Sequence, residues 1–170
     1  MESSAHAVAA GAFNTIFSAW ARRVVDPLLS PTGTRGVRGQ TRTKKADISW
    51  CPSEMPHGRP HKWPTFVGEV ASSERRIKLQ EDMKFWLDNP DISVNAAISI
   101  SVLHDKIMVE SWGRGHNKPP SPNQKIENIR NPHPGCPRVN GQLEIQFSDV
   151  FLRAKRHGES NFVLTATDMD

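Results

Sequence analysis

From His6 to Leu29, the apolar residues Ala9, Phe13, Ile16, Phe17, Trp20 and Val24 recur at steps of three and four. This gathers them on one side of a helix that Pro27 ends. Gly33, Gly36 and Gly39 break up the next stretch, so residues 30–43 read as a loop or a frayed hairpin with exposed basic side chains. Period two then takes over. Ile48 and Trp50 alternate with polar neighbours in a short strand over Ala46–Trp50, which Cys51-Pro52 stops. After a loop through Pro56, Gly58 and Pro60, the run Thr65–Val70 is β-prone and too short for a helix, which predicts a buried strand carrying Glu69 at its end. Ser72 and Ser73 offer cap hydroxyls to a helix over 74–88, with Leu79, Met83, Trp86 and Leu87 inward and Arg75, Arg76, Lys78 and Glu81 outward. Asn89-Pro90 ends it. Val94, Ala96, Ile98, Ile100 and Val102 alternate with more polar partners. His104-Asp105 then turns the chain into Ile107, Val109 and Ser111, a second strand of a hairpin. Repeated Pro, Asn and Gly make 113–140 a long loop. Leu143, Ile145 and Phe147 form a late strand, residues 148–153 a helical turn, and Thr167–Asp170 a loosely held end.

A chain of 170 residues with 36% hydrophobic content can close one modest core, so residues 1–30 are read as a helix packing on a single domain over 31–170. Thirteen prolines add irregular loops to that core. Lys and Arg number 22 against 18 Asp and Glu, a net charge of +4 that favours polyanionic partners. The excess is local: Arg35, Arg38, Arg42, Lys44 and Lys45 form a run without an acid, and Lys62 precedes Trp63. Two cysteines, Cys51 and Cys136, are too few for a disulfide scaffold, which points to an intracellular, cytoplasmic or nuclear setting. The start Met1-Glu2-Ser3-Ser4 lacks the form of a secretory signal, although Arg22 and Arg23 lend faint transit-peptide character. No run is long enough to span a bilayer, so no membrane partner is expected.

The order helix, strand, strand, helix, strand, strand sets Asp47 and Glu69 on neighbouring strands, each just ahead of a loop. Two carboxylates so placed can share Mg²⁺, which takes hard oxygen ligands, keeps waters, and can activate one of them against a phosphate. The same acids also suit plain strand ends. The segments Ala46-Asp47-Ile48-Ser49-Trp50, Trp63-Pro64-Thr65-Phe66-Val67-Gly68-Glu69-Val70-Ala71-Ser72-Ser73-Glu74 and Asp82 to Leu87 resemble the core of PD-(D/E)XK restriction-endonuclease-like proteins. The nearest likeness is to the Uma2-like branch and its fungal relatives, and Gly141 to Phe151 is similar to their C-terminal strand and turn. The resemblance runs from Thr32 onward. It implies an α/β fold with a restriction-endonuclease-like core, a small mixed sheet flanked by helices. It also implies metal-dependent phosphodiester hydrolysis, with Asp47 and Glu69 holding Mg²⁺ or Mn²⁺ while a lysine stabilises charge. The chain departs from the pattern at Ala71, where the motif's lysine belongs, so Lys78 or Lys84 of the following helix takes that role if the site is active. The N-terminal helix supplies Asp26 and no glutamate at a ligand position.

The departure keeps a second function open, a non-catalytic protein- or nucleic-acid-interaction module that retains the fold. In either case Arg35, Arg38, Arg42, Lys44, Lys45 and Lys62 are the expected nucleic-acid contacts, and a homodimer is compatible with the sequence. Zinc is disfavoured. Cys51, His57, His61, His133 and Cys136 lack paired Cys-x-x-Cys spacing and sit beside Pro and Gly in loops. Of the five tryptophans, Trp20, Trp50, Trp86 and Trp112 fall on apolar faces or strand ends, and Trp63 is the candidate for stacking on a base.

Overall fold

The computed structural model describes residues 4–24, 28–33, 36–39, 42–59, 63–72, 76–88, 94–115 and 118–169. Helix α1 (Ser4–Ala21) buries Phe13, Phe17 and Trp20 at the spacing that one helical face requires. After it come strand β1 (Leu29–Pro31), a hairpin of β2 (Val37–Arg38) and β3 (Thr43–Lys44), then β4 (Ile48–Pro52) and β5 (Phe66–Ser72). Helix α2 (Arg76–Asp88) joins β5 to β6 (Ala96–Val102), which is followed by β7 (Lys106–Gly115), β8 (Lys118–Ile129) and β9 (Val139–Gly141). Strand β10 (Leu143–Ile145), α3 (Phe147–Phe151), β11 (Phe162–Leu164) and α4 (Ala166–Met169) complete the described chain.

Seven strands form one sheet in the order β1-β4-β5-β6-β7-β8-β9. Strands β5 and β6 are parallel and the other neighbours antiparallel, which makes the sheet mixed. A parallel pair needs a crossover rather than a tight turn, and α2 is that crossover. Alternation along β5 divides its side chains between two cores. Phe66 and Val70 join Phe13, Phe17, Ile48, Ile98 and Phe162 on the α1 side, while Val67 and Ala71 join Leu79, Met83 and Trp86 on the α2 side. The architecture is therefore α/β, a mixed sheet with helices on both faces, although the sheet is larger than the sequence predicts.

The largest correction concerns 113–140. Most of it is strand, because β8 pairs with β7 along nearly its whole length and with β9 at Ile126–Asn128. Pro119, Pro120 and Pro122 lie ahead of the stretch paired with β9, where β8 has β7 as its ladder neighbour and the β7–β8 register is irregular. The C-terminus is also more ordered than expected. Asp168 accepts hydrogen bonds from the Thr165 N–H (2.8 Å) and hydroxyl (2.7 Å) at the start of α4, and Asn128 donates to the Met169 carbonyl.

Gly68 faces the α1 side between Ile48 and Ile98, and a Cβ there would lie 3.0 Å from Ile48 Cβ and 3.1 Å from Ile98 Cγ1. Gly68→Ala is expected to cost about 1–3 kcal/mol by overpacking, read as a lower urea midpoint at unchanged slope. A variant as stable as the parent would show that β4 and β6 can part without cost.

Candidate functional site

Because Glu69 alternates with Val70, its side chain lies on the α2 side of the sheet, 4% exposed. Leu79, Asp82, Met83 and Trp86 are all buried, at helical spacing, on the face of α2 that covers it. The Trp86 indole N–H donates to Glu69 Oε1 at 2.6 Å. Lys44 Nζ stands 3.1 Å from the same oxygen and 3.0 Å from Asp82 Oδ2, with the lysine side chain 13% exposed. Arg42 Nη2 reaches Asp82 Oδ1 at 3.3 Å, and its guanidinium lies over the Phe85 ring, 5.1 Å from the centroid. The β2–β3 hairpin delivers both cations. Val37 anchors it in the apolar cluster that contains Trp63, Leu79, Met83 and Trp86.

Burial pushes the Glu69 carboxyl up to about 7, working against Lys44, whose charge lowers it. The neighbouring charge of Asp47 adds to the rise, the Trp86 hydrogen bond opposes it, and Asp82 raises it further.

Asp47 precedes β4, beside Glu69 in the register set by Ile48 and Gly68. Its Oδ2 accepts the backbone N–H of Val70 at 2.8 Å and lies 3.1 Å from His6 Nε2 on α1. The carboxylate thus extends the ladder where β4 has not yet begun, and ties α1 to β5.

Of the expected site residues, Asp47 lies across from Glu69 in the β4–β5 register, and Glu69 has a lysine beside it, Lys44. Lys78 and Lys84 are exposed on α2, and the lysine beside Glu69 is one that the sequence places among the nucleic-acid contacts. Arg38, Arg42 and Lys45 are exposed, whereas Lys44 faces inward. Arg35, Lys62, Asp26, His61, Ser73 and Arg75, and the side chains of Ser72 and Arg76, lie outside the described residues. Trp63 is buried like the other four tryptophans and presents no stacking face.

The implied Mg²⁺ does not fit this donor set. Glu69 Oε1 is engaged by an ammonium and an indole, Asp47 Oδ2 by backbone, and both Asp82 oxygens by Lys44 and Arg42. Among the described residues no three His, Cys, Asp or Glu side chains converge.

Two further buried polar residues continue the row of Glu69 across the sheet. Ser99 pairs in register with Glu69 on one side and Glu110 on the other. Ser99 Oγ accepts the Trp112 indole N–H at 2.9 Å and stands 3.4 Å from Glu110 Oε2. Ser99 was legible as a polar position in an alternating strand, although nothing in the sequence pairs it with Glu110.

No helix among the described residues is long and apolar enough to cross a membrane. No protein-family model matches the chain, and no curated protein matches it. Among solved structures, the chain is similar to a DUF820 protein of Anabaena variabilis ATCC 29413 described provisionally as a nuclease. The two share 10% identity over 72% of this chain and 68% of that one, with a TM-score of 0.48.

Proposed function

We propose that the chain is a restriction-endonuclease-like module that binds nucleic acid without cutting it. The supporting topology is the antiparallel β4–β5 pair followed by the α2 crossover to parallel β6, with Asp47 and Glu69 side by side on the first two strands. One observation carries the non-cutting part. Glu69, the carboxylate that would hold a metal, is buried and bonded to Lys44 and Trp86. A phosphodiester attack needs an activated water and room for the phosphate beside it, and the Glu69 carboxylate is buried with an indole and an ammonium already on it. Binding is supported by the net charge of +4 and by the exposed cations Arg38, Arg42, Lys45, Lys78 and Lys84 on the β2–β3 hairpin and α2. Arg42 joins these two elements through Asp82.

The purified chain, incubated with plasmid and single-stranded DNA in Mg²⁺ or Mn²⁺, is expected to release no more product than its Glu69→Gln variant. Metal-dependent nicking that disappears in Glu69→Gln would overturn the reading. Fluorescence anisotropy on a labelled oligonucleotide is expected to show binding that weakens with salt. Replacing Lys45, Lys78 and Lys84 by Gln should lower the log–log salt slope by roughly 1 for each phosphate that these lysines neutralise. No binding at low salt would remove the nucleic-acid part.

A further inference from the structure

Glu69 and Asp82 are two carboxylates at most 5% exposed, brought together by β5 and α2. Carboxylates removed from water and left uncompensated are among the costliest groups a fold can bury, so this centre requires positive charge. That charge comes from β3. Lys44 Nζ sits between the two acids at 3.1 and 3.0 Å, and Arg42 shares Asp82 from the solvent side. Among the described residues the hairpin that carries them pairs Val37 with Lys44 and Arg38 with Thr43, with one further backbone bond from Gly39 to Arg42, apart from the main sheet. So short a ribbon has little stability of its own and is held by the sites its side chains dock into.

We infer that Lys44 is the resident cation of this centre, a tethered ammonium that supplies the charge compensation a divalent ion would otherwise give Glu69 and Asp82. The inference rests on the non-cutting reading and deepens it by naming what took the metal's place. An ammonium offers three hydrogen-bond donors and one charge, which suits two carboxylate oxygens. It has no open coordination position and cannot acidify a bound water as a metal does, so the exchange retains the electrostatic role of a metal and gives up its chemistry. The covalent tether also excludes competitors, because a free divalent ion must displace a cation attached to the same chain and shed its own waters.

The test is the melting temperature of the full chain in EDTA and in millimolar Mg²⁺, Mn²⁺ or Ca²⁺. The parent is expected to melt at the same temperature throughout. Lys44→Met keeps the length of the side chain without its charge, and is expected to melt about 10 °C lower in EDTA and to recover part of the loss in Mn²⁺ or Ca²⁺. Lys44→Arg should stay close to the parent. If Lys44→Met does not fold in EDTA, refolding on addition of Mn²⁺ is the same result in another form. Lys44→Met/Glu69→Gln, neutral on both sides, should be more stable than Lys44→Met and respond less to metal. A Lys44→Met protein as stable as the parent, or destabilised yet indifferent to all three ions, overturns the inference and leaves the non-cutting reading standing. So does a double variant no more stable than the single one. A parent stabilised by Mn²⁺ that also nicks DNA overturns both.

Discussion

Phe17→Ala is expected to lower the unfolding free energy by about 3–5 kcal/mol, measured in urea as a reduced midpoint with unchanged slope. The side chain is fully buried, and its ring stacks on Phe66 of β5 at 4.5 Å and 11°. Trp20 and Phe162 lie 5.1 Å away, Trp50 lies 5.6 Å away and Phe13 5.8 Å away. One ring therefore joins α1 to β4, β5 and β11, which are remote from one another in sequence, and its loss opens a void shared by all of them. Surrounding aromatic rings are rigid and fill such a void poorly, which favours the upper part of the range. A loss below about 1 kcal/mol, the scale of a single buried methylene, would mean that α1 is not docked on the sheet through this ring. The variant also reports on the site, because α1 carries His6 onto Asp47. Loosening the helix should expose the N-terminal amides to hydrogen exchange before it affects β6 and β7.

How much of the fold and its site was legible in the sequence depended on whether periodicity or long-range closure placed a residue. The α1 stripe, the β6–β7 hairpin and the inward face of α2 follow from spacing alone, because each element needs one apolar face to be buried at all. Glu69 was legible for the same reason, as an acid at the end of an apolar run. Asp82 could have been read too, since it occupies an inward position three residues after Leu79 and four before Trp86, where a carboxylate requires a partner. Lys44 could not. It lies in a Gly-interrupted basic segment without period, and only the docking of Val37 turns it from a solvated charge into the partner of Glu69. The strand β8 was missed because prolines tolerated beside a single neighbour look, in sequence, like those of a loop. Ala71 had marked the absence of a lysine next to Glu69, and the structure fills that absence from upstream, with the ammonium bonded to the carboxylate itself.

The chain's stability is expected to fall as pH rises from about 4.5 to about 7, and Glu69→Gln is expected to flatten that window. The sign follows from proton binding. The folded carboxyl is raised to about 7 from 4.5, chiefly by burial against the opposing charge of Lys44, so between these values the native state holds a proton that the unfolded state has released. The contribution of Glu69 is complete below the unfolded value and is lost as pH passes through the folded one, a total of about 3 kcal/mol. Urea titrations of parent and variant at matched pH values read that difference. Other shifted carboxyls lie elsewhere. Arg153 holds Glu159 at about 2, so its contribution has the opposite sign and is lost below the window as pH falls. Trp86→Phe removes the indole donor that favours the charged form and should extend the fall to higher pH. Parallel stability curves for parent and Glu69→Gln across the window would mean that Glu69 stays ionised in the fold. Lys44 would then compensate it completely, and desolvation would have lost to the ion pair.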